Sequence, residues 1–146
     1  MPQTTRLTPE AVQKELKRAL RKGAQASRLV RFSQSLVDLL VPAHLGGPEI
    51  AIHDRAIAAE QLIREGISAI GGASGEALTN ILCLKPGTLD LTLEQRRQAA
   101  GALLGMEGET FRRDRHEGLL IWDLAMSVYG AFRTSTKMRE PDDPTT

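Results

Sequence analysis

The sequence predicts an all-α protein, a compact bundle of five to seven helices that contains a tight corner between two of them. Apolar residues recur at intervals of three and four along most of the 146 residues, and no segment alternates as a half-buried strand does. Capping residues and glycines separate these apolar runs at helix-length intervals. The length suits a single helical domain, which we place at residues 1–140.

In the first half of the chain, helix boundaries follow from capping and turn residues. Thr8 is a good N-cap for a first helix, which runs toward Gly23. A second helix begins at Ser33 or Ser35, and the Gly- and Pro-rich residues 42–50 form a loop.

The middle of the chain shows three further helix starts. Asp54 opens a third helix that ends at Gly71, and Ser74 caps a short fourth helix. Thr92 with Gln95 three residues on has the spacing of a capping box, so the fifth helix begins at residue 93.

Near the C-terminal end we expect two helices and a tail. A sixth, short helix spans about Glu109 to Arg115, and a seventh spans Leu119 to Phe132. Residues 141–146 combine proline with acidic and hydroxyl residues, so they are expected to form a disordered tail. Ten apolar residues are predicted to form the core: Ile57, Leu62, Ile63, Ile67, Leu78, Ile81, Leu104, Phe111, Leu120 and Leu124.

Composition excludes several classes of protein. With 19 Lys and Arg against 18 Asp and Glu, the net charge of +1 excludes a uniformly basic, histone-like protein. Cys83 is the only cysteine, so it forms no internal disulfide, and no Cys and His cluster suits structural zinc. No apolar run approaches the roughly 20 residues of a membrane span, and residues 1–6 lack the apolar stretch of a secretory signal. We therefore expect a cytoplasmic protein without metal or cofactor.

The near-neutral total hides a charge gradient. Residues 1–40 have a net charge of +5, residues 41–95 have −4, and residues 96–146 are balanced. A basic head beside an acidic middle indicates either a polyanionic partner or mutual neutralisation.

Few side chains suit catalysis. His44 and His53 lie in and beside the predicted loop, and His116 stands next to Glu117, none at the i, i+4 spacing of a helical metal site. The single cysteine has apolar neighbours, which is typical of an inert core thiol. We therefore expect no enzyme activity.

Trp122, Met126 and Tyr129 follow one another at i, i+4 and i+7 on the last predicted helix. This spacing is typical of a core or an interface, and the core is the favoured interpretation.

Between residues 96 and 113, small and apolar residues stand where two helices joined by a tight turn need them. Gly101 allows a close helix contact, Gly105 suits the left-handed turn, Met106 fills the turn and Phe111 anchors the second helix. This spacing resembles the helix-turn-helix pattern, in which the second helix lies in the DNA major groove.

The resemblance implies a set of DNA contacts. Glu109, Arg112 and Arg113 would face the base edges, while Arg96 and Arg97 would contact phosphates. Arginine suits both tasks, since it pairs with guanine through two hydrogen bonds and also neutralises phosphate. A tight corner between two helices of a bundle, without DNA, is the alternative interpretation.

One position departs from the pattern. Asp114 stands where the second helix usually has a buried apolar residue, so that helix is expected to end early or to pack differently.

A wider similarity covers about residues 55–132. An apolar helix is followed by Leu-Lys-Pro-Gly-Thr (84–88), Leu-Thr-Leu-Glu-Gln-Arg-Arg-Gln-Ala-Ala (91–100), Leu-Leu-Gly-Met (103–106) and Thr-Phe-Arg-Arg (110–113), then by a leucine-rich helix. This order is similar to that of a small helical module of high-GC Gram-positive bacteria, found alone or beside signalling and defence effector domains. The resemblance implies regulation or adaptor binding rather than catalysis.

Two functions therefore stand as predictions. The first is a non-enzymatic regulatory protein that binds duplex DNA through the corner, as a homodimer that presents two half-sites. The second is a protein-interaction adaptor for a signalling or defence partner, without DNA binding.

Overall fold

The computed structural model describes the backbone of residues 7–42 and 51–139, and the side chains as far as residue 131. Within these residues the chain forms eight α-helices and one π-helical turn, and no strand. The helices are α1 Pro9–Ala19, α2 Ala26–Phe32, α3 Gln34–Leu40, α4 Ile52–Ile70, α5 Gly72–Ile81, α6 Leu93–Leu103, α7 Gly108–Phe111 and α8 Leu119–Arg139, with the π-helical turn Asp114–Gly118 before α8. The predicted all-α fold is confirmed.

Two predicted segments lie outside the described residues. They are the loop at 42–50, apart from Pro42, and the tail at 141–146. His44 belongs to the first of them.

Local capping chemistry sets the two helix starts that were predicted most directly. The Thr8 side chain accepts a hydrogen bond from the Ala11 amide at 3.1 Å. Thr92 and Gln95 form the predicted capping box. The Thr92 amide donates to the Gln95 side-chain oxygen at 2.9 Å, and the Gln95 amide donates to the Thr92 hydroxyl at 3.1 Å. Because each cap satisfies amides that no helical carbonyl can reach, both starts follow from short sequence patterns.

Two predicted starts are wrong. α4 begins at Ile52, which places Asp54 inside the first turn rather than at the cap. α5 begins at Gly72, so Ser74 lies within the helix. The Gly71 amide closes α4 on Ile67, and its carbonyl accepts the Gly75 amide at 2.9 Å, so one residue ends a helix and opens the next.

α8 lies at the centre of the packing, because it contacts both α1 and α4. α5 packs against α6. Seven of the ten predicted core residues are buried: Ile63, Ile67, Leu78, Ile81, Phe111, Leu120 and Leu124. Leu62 and Leu104 are partly buried against that core. Ile57 is 59% exposed, so its assignment to the core is wrong: Ala56, Ala59 and Ile63 form the buried face of α4. None of the described helices is long and apolar enough to cross a membrane.

Candidate nucleic-acid interface

The corner between α6 and α7 is tight. A Cβ on Gly101 would lie 2.6 Å from the Met106 carbonyl oxygen, so only glycine fits there. Gly105 has a φ of +75°, and the Met106 amide donates to the Gly101 carbonyl at 2.9 Å. The buried Phe111 ring holds α7 against the core.

The second helix of this corner is shorter than predicted. α7 is one turn long, four residues, and ends at Phe111 rather than near Arg115. Arg113 has an extended backbone, and the π-helical turn follows directly. The Asp114 side chain is 94% exposed, so no apolar residue extends the buried face of α7 beyond Phe111.

Arg96 lies inside the protein, with 1% of its surface exposed. Its guanidinium donates to the carbonyls of Leu20 at 2.8 Å and Arg21 at 3.0 Å, at the C-terminal end of α1, and to the carbonyl of Ile81, the last residue of α5. The predicted phosphate contact of Arg96 is therefore wrong, because a buried guanidinium cannot reach a ligand at the surface.

The charge of Arg96 suits this buried position. The carbonyls at a helix C-terminus lack helical partners and carry partial negative charge, so a cation between two such termini is stabilised. Burial lowers the pKa of Arg96, but the ordinary pKa of arginine is so far above neutral that the side chain stays charged at neutral pH.

Arg97 is bound within the fold as well. Its Nε and a terminal nitrogen donate to the two carboxylate oxygens of Glu117 at 2.6 and 2.8 Å, a bidentate pair whose side chains are 23% and 9% exposed. The hydrogen bond to Glu117 raises the pKa of Arg97. This pair joins α6 to the π-helical turn, so the Arg97 guanidinium has a structural partner in place of a phosphate.

The other three predicted contact residues lie at the surface. Glu109, Arg112 and Arg113 are all exposed. Arg112 Nε lies 3.3 Å from a Glu109 carboxylate oxygen, so one predicted reader is paired with another. Of the five predicted contact residues, the structure buries Arg96, partly buries Arg97 and exposes Glu109, Arg112 and Arg113.

A larger concentration of positive charge lies on α1 and α2. Residues 14–32 contain seven Lys and Arg against one Glu, a net charge of +6, which leaves −5 for the rest of the chain. Six of these cations are exposed, and we call them the basic surface: Lys14, Lys17, Arg18, Arg21, Lys22 and Arg31.

Contacts at the Phe32 ring show that the basic surface is continuous, and an ion pair places it beside the corner. Lys22 Nζ lies 4.7 Å and the Arg31 guanidinium carbon 5.5 Å from the centre of the Phe32 ring, which joins the end of α1 to the end of α2. Lys17 Nζ lies 3.7 Å from an Asp114 carboxylate oxygen, which joins α1 to the turn after α7. The corner therefore borders the basic surface.

The outward side of α8 exposes apolar side chains around the exposed Asp123. Leu119 is 55% and Met126 46% exposed, and Trp122 between them is half-buried. The favoured assignment of Met126 to the core is therefore wrong. We call Leu119, Trp122 and Met126 the α8 outer face.

The described residues offer little for metal or thiol chemistry. They contain no group of three or more His, Cys, Asp or Glu side chains able to hold a metal ion. Cys83 is buried, and burial raises the pKa of its thiol, so the reactive thiolate is disfavoured at neutral pH.

Comparisons of the chain with models of known families, with curated proteins and with solved structures found no match. The similarity to a module of high-GC Gram-positive bacteria therefore stays a prediction.

Proposed function

We propose that this chain is a non-enzymatic, cytoplasmic regulatory protein that binds duplex DNA with the side of the molecule on which the basic surface meets the corner. One observation carries the proposal. A chain with a net charge of +1 concentrates +6 in residues 14–32, and it exposes six of those cations together. A surface of this kind suits the phosphate backbone, whose counterions are released when lysine and arginine replace them.

The arrangement on α1 has a cost, which supports a ligand. Lys14 stands three residues before Lys17 and four before Arg18, the spacings at which helical side chains are neighbours. Like charges at these spacings destabilise a helix by about 0.2–0.5 kcal/mol per pair. A bound polyanion would convert this repulsion into attraction.

Duplex binding is tested by fluorescence anisotropy of a labelled 20-base-pair DNA, titrated with protein at several KCl concentrations. We expect binding that weakens steeply with salt, and a weaker complex for the double variant K14Q/R18Q. K85Q removes an exposed lysine outside residues 14–32 and serves as the control. Absence of any duplex binding at 50 mM KCl would refute the proposal.

The regulator is expected to act as a homodimer, because two copies engaging one duplex gain affinity without new contacts. Sedimentation equilibrium with and without DNA measures this directly. A monomer in both samples would remove the dimer from the proposal.

The α8 outer face favours a second candidate function, a protein-interaction adaptor. Leu119 and Met126 stand seven residues apart on one helix, and both expose apolar surface to water. Exposed apolar surface of this kind favours contact with another protein. L119S/M126S keeps every cation of the basic surface. An adaptor would lose its protein partner in this variant and keep it in K14Q/R18Q, whereas the DNA-binding protein would show the reverse dependence for DNA.

A further inference from the structure

We propose that the basic surface recognises the phosphate backbone of duplex DNA without reading its base sequence, and that the corner only borders the contact. This inference rests on the proposed function and specifies the part of DNA that the site recognises. It departs from the helix-turn-helix pattern, in which the second helix reads bases.

The short α7 is the first reason. A recognition helix places its first turns in the major groove, supported by the helix body behind them. α7 has four residues, and the chain leaves helical geometry at Arg113. Arg112, one of the predicted readers, has its Nε 3.3 Å from a Glu109 carboxylate oxygen. Glu107 and Glu109 add negative charge where the backbone of DNA would approach.

The composition of the basic surface between residues 14 and 22 is the second reason. The exposed side chains between residues 14 and 22 are all lysine or arginine. The stretch has no Asn or Gln, the side chains that pair with adenine, and arginine, which pairs with guanine, stands there only at Arg18 and Arg21. Long cationic side chains suit phosphate oxygens, which are the same at every base pair.

The density of charge is the third reason. Lys14, Lys17 and Arg18 spread over about 6 Å of α1, at a rise of about 1.5 Å per residue. Duplex DNA carries one negative charge per about 1.7 Å of its axis, so several phosphates lie within reach of this length. If five or six cations of the basic surface neutralise phosphates, log Kd should change with log salt by a slope of about 4.5–5.5.

Asp114 adjoins this surface and opposes the ligand. Its exposed carboxylate lies 3.7 Å from Lys17 Nζ, the place that a phosphate oxygen would take. Asp114→Asn removes the competitor and keeps the side-chain shape. We expect D114N to bind duplex DNA about two- to fivefold more tightly at low salt, the range of an exposed ion pair.

The test compares two duplexes of equal length and unrelated sequence, by anisotropy over 50–300 mM KCl, for the full chain and its variants. We expect the two Kd values to agree within about threefold and the salt slope to fall near 5. K14Q/R18Q and R21Q/K22Q should each lower the slope by about two, since each removes two phosphate contacts. Far-UV circular dichroism verifies that both variants are folded, and two separate pairs guard against the misfolding of one.

The outcomes separate this inference from the proposed function. A preference above about tenfold for one duplex, lost in R112Q/R113Q, would overturn the inference while duplex DNA stays the ligand. Unchanged slopes in both K14Q/R18Q and R21Q/K22Q would also overturn it. No binding to either duplex would refute the proposed function itself. Equal or tighter binding of duplex RNA, heparin or vesicles with anionic lipid, measured at the same salt, would reject duplex DNA as the ligand of this surface.

Discussion

Arg96→Met separates the structural role of this side chain from the phosphate contact that the sequence predicts. In the fold, Arg96 satisfies backbone carbonyls at the C-terminal ends of α1 and α5, which are far apart in sequence. Methionine fills a similar apolar volume but donates no hydrogen bond. The variant therefore leaves two buried carbonyls and one part-buried carbonyl without this donor and removes the cation between two helix C-termini.

The expected loss follows from those contacts. Hydrogen bonds that involve a charged group contribute about 1.5–3 kcal/mol each, and three are lost. The cost of keeping a guanidinium out of water, increased here by a buried Nε without a partner, offsets part of that gain. Removing one member of a buried charged network usually costs about 3–5 kcal/mol, which is the value we expect. For a chain of about 150 residues the melting temperature should fall by about 6–20 °C.

Urea unfolding followed by circular dichroism gives the free energy of unfolding directly. Arg18→Met is the matched control, because the Arg18 side chain is 68% exposed, and it should change stability by less than about 0.5 kcal/mol. Arg96→Lys should fall between Arg96→Met and the wild type, since one ammonium cannot span carbonyls on two helices.

R96M and R18M also test, by DNA binding, the alternative that Arg96 contacts a phosphate. If Arg96 contacted a phosphate, R96M would lower the salt slope by about one and leave the free energy of unfolding unchanged. If R96M and R18M had equal free energies of unfolding, the stabilising role of the Arg96 hydrogen bonds to the ends of α1 and α5 would be refuted.

Three further predictions concern packing and titration. Gly101→Ala should destabilise the protein by about 1–3 kcal/mol, because the new Cβ would lie 2.6 Å from a backbone carbonyl oxygen. Gly130→Ala is the control: a Cβ there would meet nothing within 4 Å, so this variant should be more stable by about 0.5–1 kcal/mol. Equal stability of the two variants in thermal unfolding would contradict the close contact at Gly101. Glu117→Gln should lower the free energy of unfolding by about 1–3 kcal/mol, because Arg97 loses its charged partner; an unchanged urea midpoint would show that the pair contributes nothing. Burial raises the pKa of Cys83, so the contribution of this thiol to stability is complete below its unfolded pKa of about 8.5 and is lost as the pH rises above that value. The wild type should therefore lose stability relative to Cys83→Ser as the pH rises through this range. Parallel profiles of the free energy of unfolding against pH for the two proteins would exclude this contribution.

The sequence predicted those features of the fold that short patterns determine. Thr8 and the pair Thr92 and Gln95 begin helices because the cap and its partner amide are three residues apart. Gly101 and Gly105 shape the corner as expected, since a close contact and a positive φ both demand glycine locally. Such signals are complete within one turn of the chain.

The site could not be predicted in the same way, because its partners are distant in sequence. Arg96 is held by carbonyls 75 and 76 residues earlier in the chain, and no spacing near Arg96 reveals them. Arg97 finds Glu117 20 residues later. A pattern that assigns both arginines to phosphate reads their charge correctly, but it misses the burial of Arg96 and the Glu117 partner of Arg97. A charge count by segment indicated the basic head, but its continuity depends on the contacts of Lys17 and Lys22.

Helix stabilisation alone does not account for the basic surface. Cations near a helix C-terminus are stabilised by about 0.3–1 kcal/mol, and Lys17 and Arg18 lie in the last turn of α1. However, the same terminus already holds the buried guanidinium of Arg96, which satisfies two of its carbonyls. Lys14 lies more than one turn from that end, and Arg31 belongs to another helix, so neither gains from the dipole of α1. A ligand that carries many negative charges stabilises all six cations of the basic surface together.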